Sequence, residues 1–166
     1  MTLTAALVIG AGVAATEIDV RHRRVPNVLT MGVASVGLGL AMAGLGTATV
    51  GGALAGLGLG LALLLPGHVL GATGAGDVKL LAAFGALLGP AGVFDAFLRA
   101  AILGGVVALA AAMWRGRLRE TVYGTAMLVT TRNRAVTAEL KHPAVNNRIP
   151  YAPAIALGAA LAVFGW

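Results

Sequence analysis

The sequence predicts an all-α, polytopic membrane protein with about six transmembrane helices and both ends on the outer side (N-out, C-out). Three observations carry this reading. First, 58% of the 166 residues are hydrophobic, only 11% are charged, and the mean hydropathy is +0.90. A soluble domain carries about 25% charged residues. Second, the charges sit in short clusters between apolar runs near the length of about 20 residues that a spanning helix needs. Third, with the N-terminus outside, the inner segments would be about 19–26, 67–79 and 114–148, and they hold 11 of the 12 basic residues. The outer turns near 44–49 and 89–91 hold none. Basic residues collect on the cytoplasmic side of membrane proteins, so this asymmetry sets the orientation.

The elements follow in order. Helix 1 covers about 2–18. Met1 to Thr16 carries no basic side chain, and Arg21, Arg23 and Arg24 follow the apolar run. That is the layout of a spanning helix with its N-terminus outside, whereas a signal peptide begins with a basic region. The three arginines read as topology anchors. Helix 2 covers about 27–45, with Pro26 expected in its first turn, where a missing N–H is harmless. Helix 3 covers about 50–66 and carries Gly52, Gly56 and Gly60 at intervals of four. Small residues at this spacing let two backbones approach closely in lipid.

Helix 4, about 77–89, is short. It spans about 20 Å against an apolar core of about 30 Å. A short span draws its inner end toward the apolar layer or thins the bilayer around it. Helix 5 covers about 92–113 and carries Asp95 and Arg99 one turn apart, the spacing of an in-helix ion pair. The polar stretch from Trp114 to Arg148 mixes arginines with apolar residues and suits the inner leaflet surface. Helix 6 covers about 149–166. The whole of 1–166 reads as one membrane unit.

Composition and motifs exclude several functions. A net charge of +6 invites a nucleic-acid reading, but the basic residues lie between apolar runs and no nucleic-acid motif is present. Without cysteine there is no disulfide, thiolate metal site or thiol nucleophile. His22, His68 and His142 are scattered and outside any metal-binding pattern, so no metal and no cofactor is expected. Ser35, the only serine, lacks a nucleophile-elbow context. The Gly-rich turn at 74–76 resembles a phosphate loop only superficially. Asp77 follows Gly76, and Lys79 stands where a dinucleotide-binding loop needs its last glycine.

The acids are Glu17, Asp19, Asp77, Asp95, Glu120 and Glu139. Asp19 and Asp77 both fall at inner helix ends, so they share a depth. A carboxylate at the edge of an apolar span is costly and is a functional candidate for that reason. Two carboxylates in contact do not both ionise readily, so a pair holds one proton. The charged member can take a proton from water, and the protonated member can hydrogen-bond a scissile carbonyl. Peptide hydrolysis at a membrane edge follows. Glu17 competes for the role of Asp19, but on a helix the two point about 200° apart, so only one can face Asp77. Two other readings stay open. One is a small transporter or channel with Asp19, Asp77 and the Asp95–Arg99 pair along a polar path. The other is a non-catalytic assembly factor of a pilus or secretion machine.

The residues also carry a resemblance. Asp19-Val20-Arg21-His22-Arg23-Arg24-Val25-Pro26-Asn27 resembles the first signature of the type IV prepilin peptidases: an acid, a basic stretch, then Ile/Val-Pro-Asn. Gly74-Ala75-Gly76-Asp77-Val78-Lys79 resembles their second, which names the GxGD class of intramembrane aspartyl proteases. Pro150-Tyr151-Ala152-Pro153 and the apolar run behind it are similar to the family's C-terminal helix. The resemblance implies that Asp19 and Asp77 are the catalytic pair, supported by Gly74, Gly76, Lys79, Pro26 and Asn27. Gly74 and Gly76 allow tight backbone and close substrate approach, and Lys79 is expected among lipid headgroups. The implied substrate is a prepilin or pseudopilin whose basic leader is removed at the cytoplasmic face of the bacterial inner membrane. The small size resembles the compact branch serving Flp-type, tight-adherence pili. Larger members carry a cysteine-containing N-terminal segment and also methylate the new terminus; with no cysteine here, methyl transfer is not expected. Oligomeric state is left open.

Overall fold

Thr2 starts the first helix. Its hydroxyl accepts the Ala5 N–H at 3.3 Å, and α1 runs Leu3–His22. It ends at Arg23, which turns left-handed (φ 52°) and donates its N–H to the Asp19 carbonyl at 2.7 Å. The helix therefore continues past 18, and Asp19 lies in its last turn. α2 runs Asn27–Met42, shorter than the expected 27–45. Pro26 is its N-cap, one position before the first turn, and its carbonyl accepts from Leu29 and Thr30. α3 runs Val50–Val69, with the Thr49 hydroxyl accepting from Gly52, and it passes through Pro66, where the sequence suggested an end. α4 runs Ala75–Trp114, and α5 runs Ala152–Phe164.

This computed structural model describes residues 2–70, 73–114 and 151–165, and the regular structure among them is entirely helical. The expected inner segment 114–148, with Glu120, Glu139 and the basic residues from Arg115 to Arg148, lies outside the described residues apart from Trp114.

The fourth and fifth expected helices are joined in α4 and separated by one non-helical residue, Gly89, at φ 73° and ψ −177°. That conformation is essentially restricted to glycine. Pro90 follows, with its φ preset for starting a helix. Leu88, Ala91 and Gly92 lie beside Thr2, Thr47 and Val163 around a cavity of about 370 Å³. Gly104, by contrast, meets Tyr151 at the opposite end of α5, so the chain doubles back at Gly89. Gly89→Ala is expected to cost about 1–3 kcal/mol, measured as a lower melting temperature in detergent.

The first half of α4 (75–88) is the centre of the fold. Every residue from 80 to 87 is buried, with Leu80, Leu81 and Phe84 fully so. A helix that is apolar all round is buried all round. α3 packs closest to it. A Cβ on Gly56 would collide with the Gly85 carbonyl, and one on Gly60 would lie 2.7 Å from the Ala82 Cα. The contact stripe on α3 is thus Ala53, Gly56, Gly60 and Leu64, while Gly52 lies toward its rim. On another side, a Cβ on Gly37 of α2 would come within 2.9 Å of the Ala86 backbone. The second half of α4 (90–114) packs on α5, where a Cβ on Gly158 would lie 2.5 Å from the Ala96 carbonyl oxygen. α1 covers the other side of α5, with Gly12 against Ala156.

α1, α3 and residues Ala75–Ala110 of α4 are long and apolar enough to cross a membrane; α2 and α5 are shorter apolar helices. Their outward faces carry large apolar side chains such as Val13, Met31, Leu54, Ile102 and Val106. In water such surface would be a liability, whereas lipid tails match it.

Candidate active site

Asp19 and Asp77 are the two buried acids among the described residues, at 7% and 8% exposure. Asp77 lies in the first turn of α4, and Asp19, in the last turn of α1, reaches the first amide of α5, so each carboxyl group meets a helix N-terminus, where backbone N–H groups lack intrahelical partners and favour negative charge. The local sequence explains both placements.

Asp77 is the third residue of α4, and its Oδ2 reaches back to accept the Gly74 N–H at 3.1 Å. This is the returning half of a capping box, in which the N3 acid accepts from the N-cap amide. The residue just before Gly74 is tied to the end of α3. The Thr73 hydroxyl donates to the Leu64 carbonyl at 3.3 Å, its N–H donates to the Gly67 carbonyl at 3.3 Å, and its carbonyl accepts from His68 Nδ1 at 3.1 Å. The turn that delivers Asp77 is therefore anchored on both sides.

Asp19 lies on the inward face of α1's last turn. Its Oδ2 accepts the Ala152 N–H at 3.4 Å, the first amide of α5. The start of α5 is fully accounted for. Ala152 donates to Asp19, Pro153 has no N–H, and Ala154 and Ile155 donate to the Tyr151 carbonyl at 3.1 and 3.2 Å. Glu17, the competing acid, is exposed and pairs with Arg21 at 2.8 Å. It points away from the side that carries Asp19.

The two motifs interlock. Gly76 packs on the chain just before α2, where a Cβ would lie 3.1 Å from the Val25 Cβ and 3.2 Å from its nitrogen. Lys79 donates to Asn27 Oδ1 at 2.9 Å. Lys79 is exposed, as expected for a headgroup contact, yet its hydrogen bond is to the other motif. The role of Gly76 is likewise close contact with Val25, with φ in the ordinary range. The segments bearing Asp19 and Asp77 are thus clamped to one another at the same end of the bundle. Tyr151 also lies there. It directly precedes Ala152, whose N–H meets Asp19.

The residues that sequence reasoning did not single out are Tyr151, the Ala152 N–H and Val25. Val25 and Pro150-Tyr151-Ala152-Pro153 stood inside recognisable motifs. A backbone amide leaves no mark on sequence, however, and its partner is 133 positions away.

The Asp95–Arg99 ion pair lies elsewhere. Arg99 Nε lies 2.8 Å from Asp95 Oδ2, and its guanidinium also donates to the Leu161 carbonyl at 3.2 Å, in the last turn of α5. The in-helix ion pair is present, and it caps the end of α5 opposite to the one that meets Asp19.

A bundle of apolar helices with two buried carboxyl groups at one end has the make-up of a membrane-embedded acid–base site. Residues 6–109, more than half the chain and including both motifs, match the type IV leader peptidase family, and the chain belongs to that family. It is therefore a membrane protein and a protease of the type IV leader peptidase kind, whose substrates are prepilins. No curated protein and no solved structure matches the chain.

Proposed function

We propose that this protein is an aspartic endopeptidase that removes the basic leader of Flp-type prepilins at the cytoplasmic face of the bacterial inner membrane. Asp19 and Asp77 are its catalytic pair. The observation that carries the reading is the burial of both carboxyl groups at helix N-termini, on two motif segments joined through Lys79–Asn27 and Gly76–Val25.

In the reaction the pair holds one proton. The charged carboxylate takes a proton from water as the water oxygen bonds to the scissile carbonyl carbon. The protonated carboxyl gives its proton to the carbonyl oxygen, forming a neutral gem-diol. The amide nitrogen then takes a proton from the pair, the C–N bond breaks, and one diol proton returns to the carboxylates. The products are the leader with a new carboxyl terminus and the pilin with a new amino terminus, which this chain leaves unmethylated. Residues 1–166 act as one peptidase unit with six spans, N-out and C-out. The placement of 11 of the 12 basic residues in segments 19–26, 67–79 and 114–148 supports that topology.

The test is to co-express the chain in bacterial membranes with an Flp-type pilin precursor and, separately, with a precursor of a larger type IV pilin. Gel shift reads cleavage, and the mass of the product reads its terminus. Cleavage of the Flp-type precursor to an unmethylated product is expected. Preferential cleavage of the larger pilin would reject the substrate class, and a product heavier by one methyl group would reject the single activity.

The Asp95–Arg99 pair gives a matched control. Both side chains are about one third exposed, and such pairs contribute at most about 1 kcal/mol. Asp95→Asn and Arg99→Gln are expected to lower the melting temperature slightly and leave cleavage per folded molecule unchanged. Loss of cleavage in these variants would favour a polar path through the protein over a two-aspartate site.

A further inference from the structure

One described side chain near the aspartates belongs to neither motif. Tyr151 is the N-cap of α5. Its ring lies over Gly104, where a Cβ would collide with Cε2 and lie 3.1 Å from Cζ and from the hydroxyl oxygen. Its hydroxyl donates to the Ala100 carbonyl at 3.4 Å, one turn earlier on the same helix. The glycine at 104 makes room for the aromatic ring against that turn. On the main chain, the Tyr151 carbonyl accepts the Ala154 and Ile155 N–H groups that open α5. The next residue is Ala152, whose N–H meets Asp19. Pro153 has no N–H, so the Ala152 amide is the one donor in the first two positions of α5.

We infer that Tyr151 is a positioning residue for the aspartate pair: by fastening the start of α5 to the second half of α4, its side chain holds the Ala152 N–H where it receives Asp19. This rests on the reading of Asp19 and Asp77 as the acting carboxylates. Bulk docking of α5 does not depend on the hydroxyl. Gly158, about two turns further on, already brings the α5 backbone against Ala96 and Ala100. A 3.4 Å hydrogen bond is long and contributes little to stability. What it decides is where the first turn of α5 lies, and acid–base groups tolerate little displacement. The Ala100 carbonyl can only accept, so the phenol is the donor in this contact.

The test uses the purified full chain in detergent and a synthetic peptide spanning a basic pilin leader and the apolar segment after it. Tyr151→Phe keeps the ring on Gly104 and removes the hydroxyl. It is expected to lower kcat up to about 10²-fold, with KM within about twofold and the melting temperature within about 2 °C. Gly104→Ala keeps the hydroxyl but displaces the ring that carries it from the Ala100 carbonyl, and it is expected to lower kcat as well. Both changes act through one contact, so the double variant should fall little below the worse single one. Full kcat in Tyr151→Phe, a loss matched by loss of folded protein, or fully additive effects would each overturn the inference. Asp19→Asn and Asp77→Asn are measured alongside. If they cleave normally, the aspartate reading fails. If they are inactive while Tyr151→Phe is fully active, only the role of Tyr151 fails.

Discussion

Asp77→Asn and Asp19→Asn are each expected to lower leader cleavage by about 10²–10⁴-fold, the usual contribution of a positioned acid or base. The structure makes these substitutions clean. An asparagine at 77 still offers an oxygen to the Gly74 N–H, and an asparagine at 19 still offers one to the Ala152 N–H. The cap on α4 and the link between α1 and α5 therefore survive, while the group that exchanges a proton is removed. Alanine is a poorer choice. Asp77→Ala would also remove a capping bond, a change of about 1 kcal/mol that confuses folding with catalysis. The check is gel shift of a co-expressed precursor, with the amount of inserted protein matched between variants. Persistent cleavage in Asp19→Asn would remove that residue from the mechanism. Glu17→Gln should be nearly silent, because Glu17 is exposed and bound to Arg21. Altered solute flux with intact cleavage would point to transport instead.

The second large effect is on folding. Gly56→Ala and Gly85→Ala are each expected to destabilise by about 3 kcal/mol or more, at or beyond the upper end of ordinary overpacking. The reason is that the obstacle is backbone. A methyl on Gly56 runs into the Gly85 carbonyl, and a methyl on Gly85 runs into the carbonyl of Gly56. No rotamer change relieves such a clash, so α3 and α4 must move apart. Small residues at helix contacts in lipid matter because close packing, not exclusion from water, drives association there. Gly58 is the control. It lies on the same helix with nothing within 4 Å of its would-be Cβ. Gly58→Ala should be neutral or stabilising by up to about 1 kcal/mol through helix propensity. Melting temperatures in detergent compare the three. Equal behaviour at 56 and 58 would mean that the close α3–α4 contact does not hold the fold together.

Much of the molecule was legible in the sequence. Composition alone indicates apolar helices, because so few charges and such long apolar runs leave water-soluble folds without a surface. Asp19 stood out from Glu17 only by a geometric rule that one of them faces inward, and by the resemblance that chose between them. The Asp95–Arg99 pair followed from helical spacing, since residues four apart share a face. These features are local, and local order along the chain encodes them.

Other features are decided by neighbours distant in sequence. Helix ends shifted wherever a cap competed with propensity. Thr49 and Pro26 begin helices, Arg23 closes one in a left-handed turn, and α3 runs through Pro66. The glycine stripe on α3 was visible, but only packing shows that Ala53 takes the place of Gly52 in it. Lys79 was expected among headgroups, because nothing in its own helix shows that Asn27 lies beside it. The same holds for the Ala152 amide on Asp19 and for Tyr151 over Gly104. The sequence by itself determined that the chain is made of apolar helices and that Asp19 and Asp77 fall at helix ends, because hydropathy and helical periodicity are carried by consecutive residues. Only the tertiary structure decided which backbone amide and which neighbouring motif hold each carboxyl group, because those partners are set by how the helices pack.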